Sequence, residues 1–299
     1  MIVATIWLRQ QDILTPQHAP IISKMILDLV YPALIFSHVA RSELSWAHLQ
    51  IAGSIDIALI IIGLVLFMLG RFLFRLDRPS MAAFLLAGTF SGTSLLGAAF
   101  LNIVYADHPE LVSLGVVIAQ FSHGLLINTV GIFIAIHYGS LGSNDTIRQQ
   151  VKFFVFSKPI LALLAGVLWN ISGLPVNGYF SLILFTGLAM IGAALPFLSA
   201  VVTGLAFEPI KIKKNLSLLV IVALSQFVAQ PLLSDYFVGF IDVPDIERDV
   251  GLMMSALPSA PMAVIICTRY GCNAQLASTM VLFTCILSVF TLPLTAFFA

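Results

Sequence analysis

Long, uninterrupted apolar runs constrain the fold of this chain more than any other feature. Of its 299 residues, 60% are hydrophobic and 9% are charged, whereas an ordinary soluble domain has about 25% charged residues. The mean hydropathy is +1.05, so polar side chains are too few to cover a soluble core. Runs of about 20 apolar residues are typical of membrane-spanning helices and differ from the alternating segments of a β-barrel. We therefore predict an all-α polytopic membrane protein.

Charge and motif content exclude several classes of function. The formal net charge is zero, and no stretch forms a basic patch that follows phosphates, so nucleic acid is not an expected partner. The sequence has no CxxC pair, no paired-histidine metal motif, no phosphate-binding loop and no nucleophile elbow. We predict a chain without metal, cofactor or enzymatic activity. An intramembrane enzyme that uses Asp28 and Asp56 is the weaker alternative, because the two acids enter from opposite faces.

Ten apolar segments predict ten helices, of which the first is only a stub. Each of the others is long enough to span a bilayer. The connections are short, so no soluble domain is inserted between them. The predicted helices, numbered one to ten, cover residues 1–8, 21–40, 49–70, 80–106, 111–138, 151–171, 179–207, 216–238, 251–270 and 274–298.

The basic residues indicate the orientation, because cytoplasmic loops are enriched in lysine and arginine. With loops that alternate sides, twelve basic residues fall on one side and only two, Arg41 and Arg248, on the other. The first side is predicted to be cytoplasmic. Both termini are then outside, in a multi-pass protein of the cell (inner or plasma) membrane. The twelve residues are Arg9, Lys24, Arg71, Arg75, Arg78, Arg148, Lys152, Lys158, Lys211, Lys213, Lys214 and Arg269.

Matching landmarks in the two halves indicate an inverted repeat. Pro32 in helix two and Pro196 in helix seven are 164 positions apart, and the same shift carries the glycine-rich break at 88–93 close to the proline-rich break at 257–261. Five helices per half place the halves in opposite orientations, as in many secondary transporters. We predict that the broken helices four and nine cross mid-membrane. The predicted units are a first repeat over 1–138, a cytoplasmic linker over 139–150 and a second repeat over 151–299.

The repeat also makes a prediction about the first helix. Helix six begins near residue 151, so its mate in the first repeat is expected to begin before Met1. Helix one is therefore expected to be truncated, through a misassigned start or in a shortened variant. The alternative is that residues 1–8 form a short re-entrant segment.

The two breaks are the candidate substrate site. Pro258 and Pro261 interrupt the backbone ladder of helix nine, and Gly92 tolerates unwound backbone in helix four. Unwound backbone at membrane depth is tolerated where it lines a cavity or is buried in protein, and half-helix N-termini favour anions. Ordinary kinks and a glycine packing face remain the alternative. The candidate substrate-binding residues are Gly92, Thr93, Ser94, Pro258, Ser259, Pro261 and, on helix five, Asn128.

Three titratable residues are candidates for coupling to a proton or another ion. Asp28 and Asp56 lie well inside predicted spans, where a carboxylate is expensive and functional use is the default hypothesis. Each is also consistent with an interfacial acid that pairs with a basic neighbour. His123 shares a polar seam of helix five with Gln120 and Asn128. It is a candidate proton relay, or simply an interhelical hydrogen bonder.

The ordered set of motifs resembles the auxin efflux carrier family of permeases, which includes bacterial carriers annotated for malate and malonate. The resemblance covers essentially the whole chain. The chain departs from it at Gly92-Thr93, where many members have Asn-Thr, and at Ala98, where a proline often follows the glycine. The matching stretches are LVYPALIF (29–36), KP (158–159), ALP (194–196), ALPSAP (256–261), RYG (269–271) and LPL (292–294).

The resemblance implies a homodimeric ten-helix carrier. Helices one, two, six and seven would form a scaffold, and the others a mobile transport unit that binds a small organic anion where helices four and nine cross. We predict a secondary transporter of such an anion, with a carboxylate as the expected substrate, that works by alternating access in the lipid bilayer with proton or sodium as the coupling ion. The alternatives are a ligand-binding sensor without turnover and a cation-coupled symporter of the bile-acid type.

Overall fold

The computed structural model of the chain is helical. It describes residues 2–42, 46–92, 94–140, 146–176, 178–208 and 212–298. Over these ranges it contains no strand, and the one β-type contact is an isolated antiparallel bridge between Ser91 and Ser259. The predicted all-α fold is confirmed.

Six continuous helices in the described ranges are long and apolar enough to cross a membrane, and a bent pair adds a seventh candidate span. The bent pair is α6a (Ile147–Val155) and α6b (Lys158–Ile171), whose axes differ by 51°. The predicted total of ten spans stays a prediction. The continuous spans are α2 (His18–Arg41), α3 (Trp46–Leu73), α5 (Glu110–Tyr138), α7 (Tyr179–Ala206), α8 (Asn215–Val238) and α10 (Ala274–Thr295).

Shorter helices occupy the places where the sequence predicts a stub and two breaks. The chain leaves the helical conformation at Phe90, whose backbone is extended, and at the segment that contains Pro258 and Pro261. Gly271, with a φ of 71°, follows the helix that ends at Tyr270 and adopts the left-handed conformation that glycine tolerates. The short helices are α1 (Ile2–Gln10), α4a (Arg78–Thr89), α4b (Ser94–Val104), α9a (Asp245–Ser255) and α9b (Met262–Tyr270).

The sixth helix differs from its prediction. The sequence predicts one helix over residues 151–171, whereas the structure begins at Ile147 and bends between Val155 and Lys158. Pro159 explains the bend, because a proline has no N–H with which to continue the helical ladder to the residue four positions before it. Proline is well accepted in the first turn of a new helix, where the N–H has no partner anyway.

Burial separates a central group of helices from a peripheral one. Over α5, 56% of the apolar window is buried, against 17% over α7. The larger core cluster joins α2, α4a, α5, α9b and α10 through side chains such as Ile35, Phe84 and Ile265. A second cluster joins α3, α5, α8 and α9a, with Leu59 and Met254 inside it. Both broken helices therefore lie in the core, while α7 presents most of its surface outward.

Candidate functional site

The two helix breaks contact each other directly, as predicted. The Ala260 N–H donates to the Phe90 carbonyl at 2.9 Å, and the Gly92 N–H donates to the Pro258 carbonyl. The chains run antiparallel here, with Ser91 opposite Ser259. A Cβ added at Gly92 would lie 3.2 Å from the Pro258 carbonyl oxygen, so the close approach favours glycine. Backbone groups freed by one break thus satisfy groups freed by the other.

The carbonyl end of α4a is covered by side chains of α8 and of the break between α9a and α9b. The Ala87 carbonyl accepts from Ser259 Oγ at 2.6 Å and from Gln226 Nε2 at 2.8 Å. The Gly88 carbonyl accepts from Ser225 Oγ at 2.8 Å, and the Thr89 carbonyl accepts from Gln230 Nε2 at 2.8 Å. The last turn of a helix leaves such acceptors without intrahelical partners. Protein donors fill them here, so this helix end is a packed structural joint.

The helices α4b and α9b both begin at the crossing, so their N-terminal ends lie there. A helix N-terminus has a positive partial charge and N–H donors that point outward along the axis. Pro261 precedes α9b, and Met262, its first residue, lines an open cavity. Residues of both breaks therefore border a space in which the partial charges favour a negative group.

This cavity has a volume of about 1190 Å³. One wall is formed by α2 and α7, and a second wall by the two breaks together with α5. Its far rim reaches Arg41 at the end of α2, Glu110 at the start of α5 and Glu247 in the first turn of α9a. The lining includes Leu34, Ser37, His38, Pro196 and Ser199 on the first wall, and Gly92, Gln120, Pro258, Ser259 and Pro261 on the second.

The structure brings together most of the predicted substrate-binding residues. Gly92, Pro258, Ser259 and Pro261 all line this cavity. Thr93 lies outside the described residues, and the side chain of Ser94 is not described.

Asn128 lies away from the cavity lining. Its Nδ2 donates to Tyr31 Oη at 3.0 Å and to the Gly124 carbonyl at 2.6 Å, which ties α5 to α2. Its Oδ1 is buried and has no hydrogen-bond partner among the described residues. The geometry gives Asn128 a role in holding two helices together, and its side chain is not part of the cavity lining.

His123 lies one layer behind the crossing. The side chain is 1% exposed, and its Nδ1 accepts from the Ser91 N–H at 3.3 Å. Ser91 Oγ lies 3.1 Å from the same nitrogen. His123 therefore holds the broken segment of helix four through Ser91, the residue that pairs with Ser259.

The two predicted membrane acids have different surroundings. Asp28 Oδ2 lies 3.3 Å from Lys158 Nζ, so this acid pairs with a basic neighbour at the start of α6b. Asp56 Oδ1 is buried and has no hydrogen-bond partner among the described residues. Neither acid lines the cavity. For both acids the sequence allowed either a role in ion coupling or an ion pair at the interface. The packing places Asp28 in an ion pair and leaves the buried oxygen of Asp56 without a partner among the described residues.

Each of four polar residues in the core helices lies on a π-helical turn. These turns cover Ile26–Val30, Gln120–Gly124, Ile127–Gly131 and Ser225–Ala229, and contain Asp28, His123, Asn128 and Gln226 respectively. Such single-turn π-bulges are frequent at functional sites, because the extra residue redirects a side chain. Here they turn polar groups toward neighbouring helices.

Sequence reasoning missed three contributors to this site. Ser91 and Tyr31 are contact points for His123 and Asn128, and Arg41, used only to infer orientation, lies on the cavity rim. The only sequence signal for Ser91 and Tyr31 was proximity, since Ser91 is inside the glycine-rich break and Tyr31 precedes Pro32.

The ion pair between Asp28 and Lys158 is expected to contribute little to stability. The two side chains are 27% and 56% exposed, and exposed pairs are worth about 0–1 kcal/mol. Asp28→Asn should therefore lower the free energy of unfolding by no more than about 1 kcal/mol. Reversible unfolding in detergent measures this, with Asp28→Asn combined with Lys158→Gln as the control that adds no further loss. A decrease above about 3 kcal/mol, the range of broken buried pairs, would contradict the assignment.

Comparison with known proteins adds independent information. A family model described as "Membrane transport protein" matches residues 1–151 and 146–296. An uncharacterized transporter of Methanocaldococcus jannaschii is 20% identical over 289 residues, which cover 94% of this chain and 90% of that protein. An uncharacterized transporter of Methanothermobacter thermautotrophicus is 23% identical over 306 residues, which cover 96% and 91% of the two chains.

Proposed function

The chain belongs to the membrane transport protein family, and we propose that it is a secondary transporter of small organic anions, with carboxylates as the substrate class. The substrate binds where the two helix breaks meet. The cavity of about 1190 Å³ at that contact is the observation that carries the proposal. This volume slightly exceeds the range of about 300–1,000 Å³ that is typical of small-molecule sites.

The chemistry of the crossing supports an anionic substrate. The N-termini of α4b and α9b favour negative charge, whereas the carbonyl end of α4a is already occupied by Gln226, Gln230 and two serines. The predicted repeat relates the two breaks, and discontinuous helices at a repeat interface are typical substrate sites of secondary transporters.

The position of the cavity supports alternating access. Arg41, Glu110 and Glu247 on its rim belong to helix ends that the distribution of basic residues assigns to the outside. In that orientation the cavity opens to the outside, which supports an outward-facing state. We propose that the breaks, moving with helices three to five and eight to ten, shift against α2 and α7 and expose the same site to the cytoplasm.

Counterflow in proteoliposomes tests transport. Vesicles loaded with one unlabelled carboxylate are diluted into trace amounts of the same labelled compound, across a panel of mono- and dicarboxylates. A carrier accumulates label transiently above equilibrium for at least one member of the panel. Ligand-dependent thermal stabilisation without any counterflow would instead identify a sensor.

We further propose that Asp56 carries a coupled proton. Its buried Oδ1 has no partner among the described residues, and an ionised carboxylate without a partner is expensive to bury. A protonated carboxyl is the form that fits this position. Release and uptake of the proton then accompany the movement of helix three.

Asp56→Asn is therefore expected to separate coupling from exchange. Accumulation driven by a proton gradient should be lost, because the amide cannot carry a proton, while counterflow at equal pH remains. Uptake with and without an imposed gradient measures the two activities. Asp28→Asn is the matched control and should retain both. Gradient-driven accumulation by Asp56→Asn would assign coupling to another group.

A further inference from the structure

We propose that Arg41, held on the ring of Phe185, is a second anion-binding subsite in the outer part of the cavity, where the carboxylate of an incoming substrate first binds. This inference rests on the proposed function and makes it more specific. The substrate would pass from Arg41 at the rim to the crossing, where α4b and α9b begin.

The charge of Arg41 is available to a ligand. The guanidinium makes no ion pair within the described part of the chain, and the residue is exposed in the cavity that the crossing also lines. Arg248, the other basic residue predicted on the outer side, is different. Its Nε and Nη2 both lie 2.7 Å from Asp235 Oδ1, so a carboxylate already neutralises it.

The position of Arg41 is fixed by a rigid aromatic platform. Its guanidinium carbon lies 5.6 Å from the centre of the Phe185 ring. Phe185 is 2% exposed and packs against Trp169 at 5.7 Å and against Phe36 at 6.0 Å between ring centres. These rings come from α7, α6b and α2, so three helices hold the platform in place. An arginine that is already held in its binding position loses less conformational entropy when it binds a ligand.

The position of the guanidinium over the Phe185 ring leaves its N–H donors available to a ligand. A guanidinium that contacts an aromatic ring through its face keeps its N–H donors pointing outward in its own plane. That fork matches the two oxygens of a carboxylate. A lysine ammonium at this position would supply charge without the two-point geometry.

Two carboxylates that also line the cavity, Glu110 and Glu247, define the competing explanation. Glu110 Oε1 lies 2.8 Å from His108 Nδ1, so it already has a partner. Glu247 Oε2 is buried and has no hydrogen-bond partner among the described residues. If Arg41 pairs with Glu247 when the outer side closes, the arginine is a gate residue and contributes to the rate of exchange rather than to anion affinity.

Thermal stabilisation by malonate, with malonamide as the uncharged analogue, tests the subsite directly. Wild-type protein should be stabilised by malonate and not by malonamide. Arg41→Gln should weaken the apparent Kd for malonate by about 10- to 100-fold, as loss of a hydrogen bond to a charged group implies. Arg248→Gln is the matched control and should bind malonate as wild type does.

Further variants distinguish charge from geometry. Arg41→Lys should recover only part of the affinity, and Phe185→Leu should weaken binding although it leaves the charge in place. An unchanged Kd in Arg41→Gln would overturn the proposal, as would a wild-type protein that does not distinguish malonate from malonamide. A variant that does not melt cooperatively is replaced by Arg41→Lys in the comparison.

Counterflow of malonate separates this proposal from the proposed function. Arg41→Gln should raise the KM on the outer side and keep the maximal rate. Equal losses of maximal rate in Arg41→Gln and Glu247→Gln, with KM unchanged, would assign Arg41 to the gate and overturn the subsite. Arg41-dependent binding of malonate without any counterflow in wild type would leave the subsite standing and defeat transport instead.

Discussion

Replacing Gly92 with leucine is expected to lower transport by about a hundredfold, the loss typical of a 1 Å displacement at a reacting or binding centre. The Cβ alone would lie 3.2 Å from the Pro258 carbonyl oxygen, which is backbone and cannot rotate away. The rest of the leucine side chain would push the two breaks apart and weaken the hydrogen bond between the Gly92 N–H and the Pro258 carbonyl. Counterflow in proteoliposomes measures the loss.

Gly53→Leu is the control for this substitution. Gly53 lies in α3, in the same predicted transport unit, and a Cβ there meets nothing within 4 Å. This variant should transport at the wild-type rate. Gly92→Ala, which adds the Cβ only, should fall between the two. Normal counterflow by a well-expressed Gly92→Leu protein would show that the crossing is not the substrate site.

Replacing Gln230 with leucine is expected to lower the free energy of unfolding by about 1–3 kcal/mol, the cost of an unsatisfied buried polar group. Gln230 is fully buried, and its Nε2 is the donor that the described structure gives to the Thr89 carbonyl, at 2.8 Å. Without it, the carbonyl end of α4a keeps an acceptor with no partner. Thermal or detergent-induced unfolding measures the change.

Gln226→Leu is the matched comparison and should cost less than about 1 kcal/mol, because its two acceptors keep other donors. The Ala87 carbonyl retains Ser259 Oγ at 2.6 Å, and the Phe90 carbonyl retains the Ala260 N–H at 2.9 Å. A Gln226→Leu protein as destabilised as Gln230→Leu would contradict this account of the joint.

The breaks could be predicted from sequence because their causes are local. Pro258 and Pro261 remove backbone donors wherever they stand in a helix, and Gly92 permits unwound backbone. Their mutual contact followed from the matching positions in the two halves. The bend of the sixth helix was equally local, since Pro159 marks it, but it was not predicted.

The partners of these elements could not be predicted, because they depend on packing between distant segments. Gln226 and Gln230 form a polar face of α8 that is equally consistent with ligand contact. Only the position of α8 beside α4a, whose carbonyls lie more than 130 positions earlier, makes the glutamines structural donors. Arg41 was informative only about orientation until α2 and α7 placed it on the cavity rim.

Accessibility of the cavity from each side of the membrane tests alternating access most directly. Ala193 is exposed and lines the cavity, so Ala193→Cys in a background without Cys267, Cys272 and Cys285 supplies a single reporter. A membrane-impermeant thiol reagent is added to one side or the other of oriented vesicles. Alternating access predicts reaction from both sides, with the two rates changing in opposite directions when a transported carboxylate is added. Reaction from one side only, unchanged by every carboxylate that the protein binds, would contradict it.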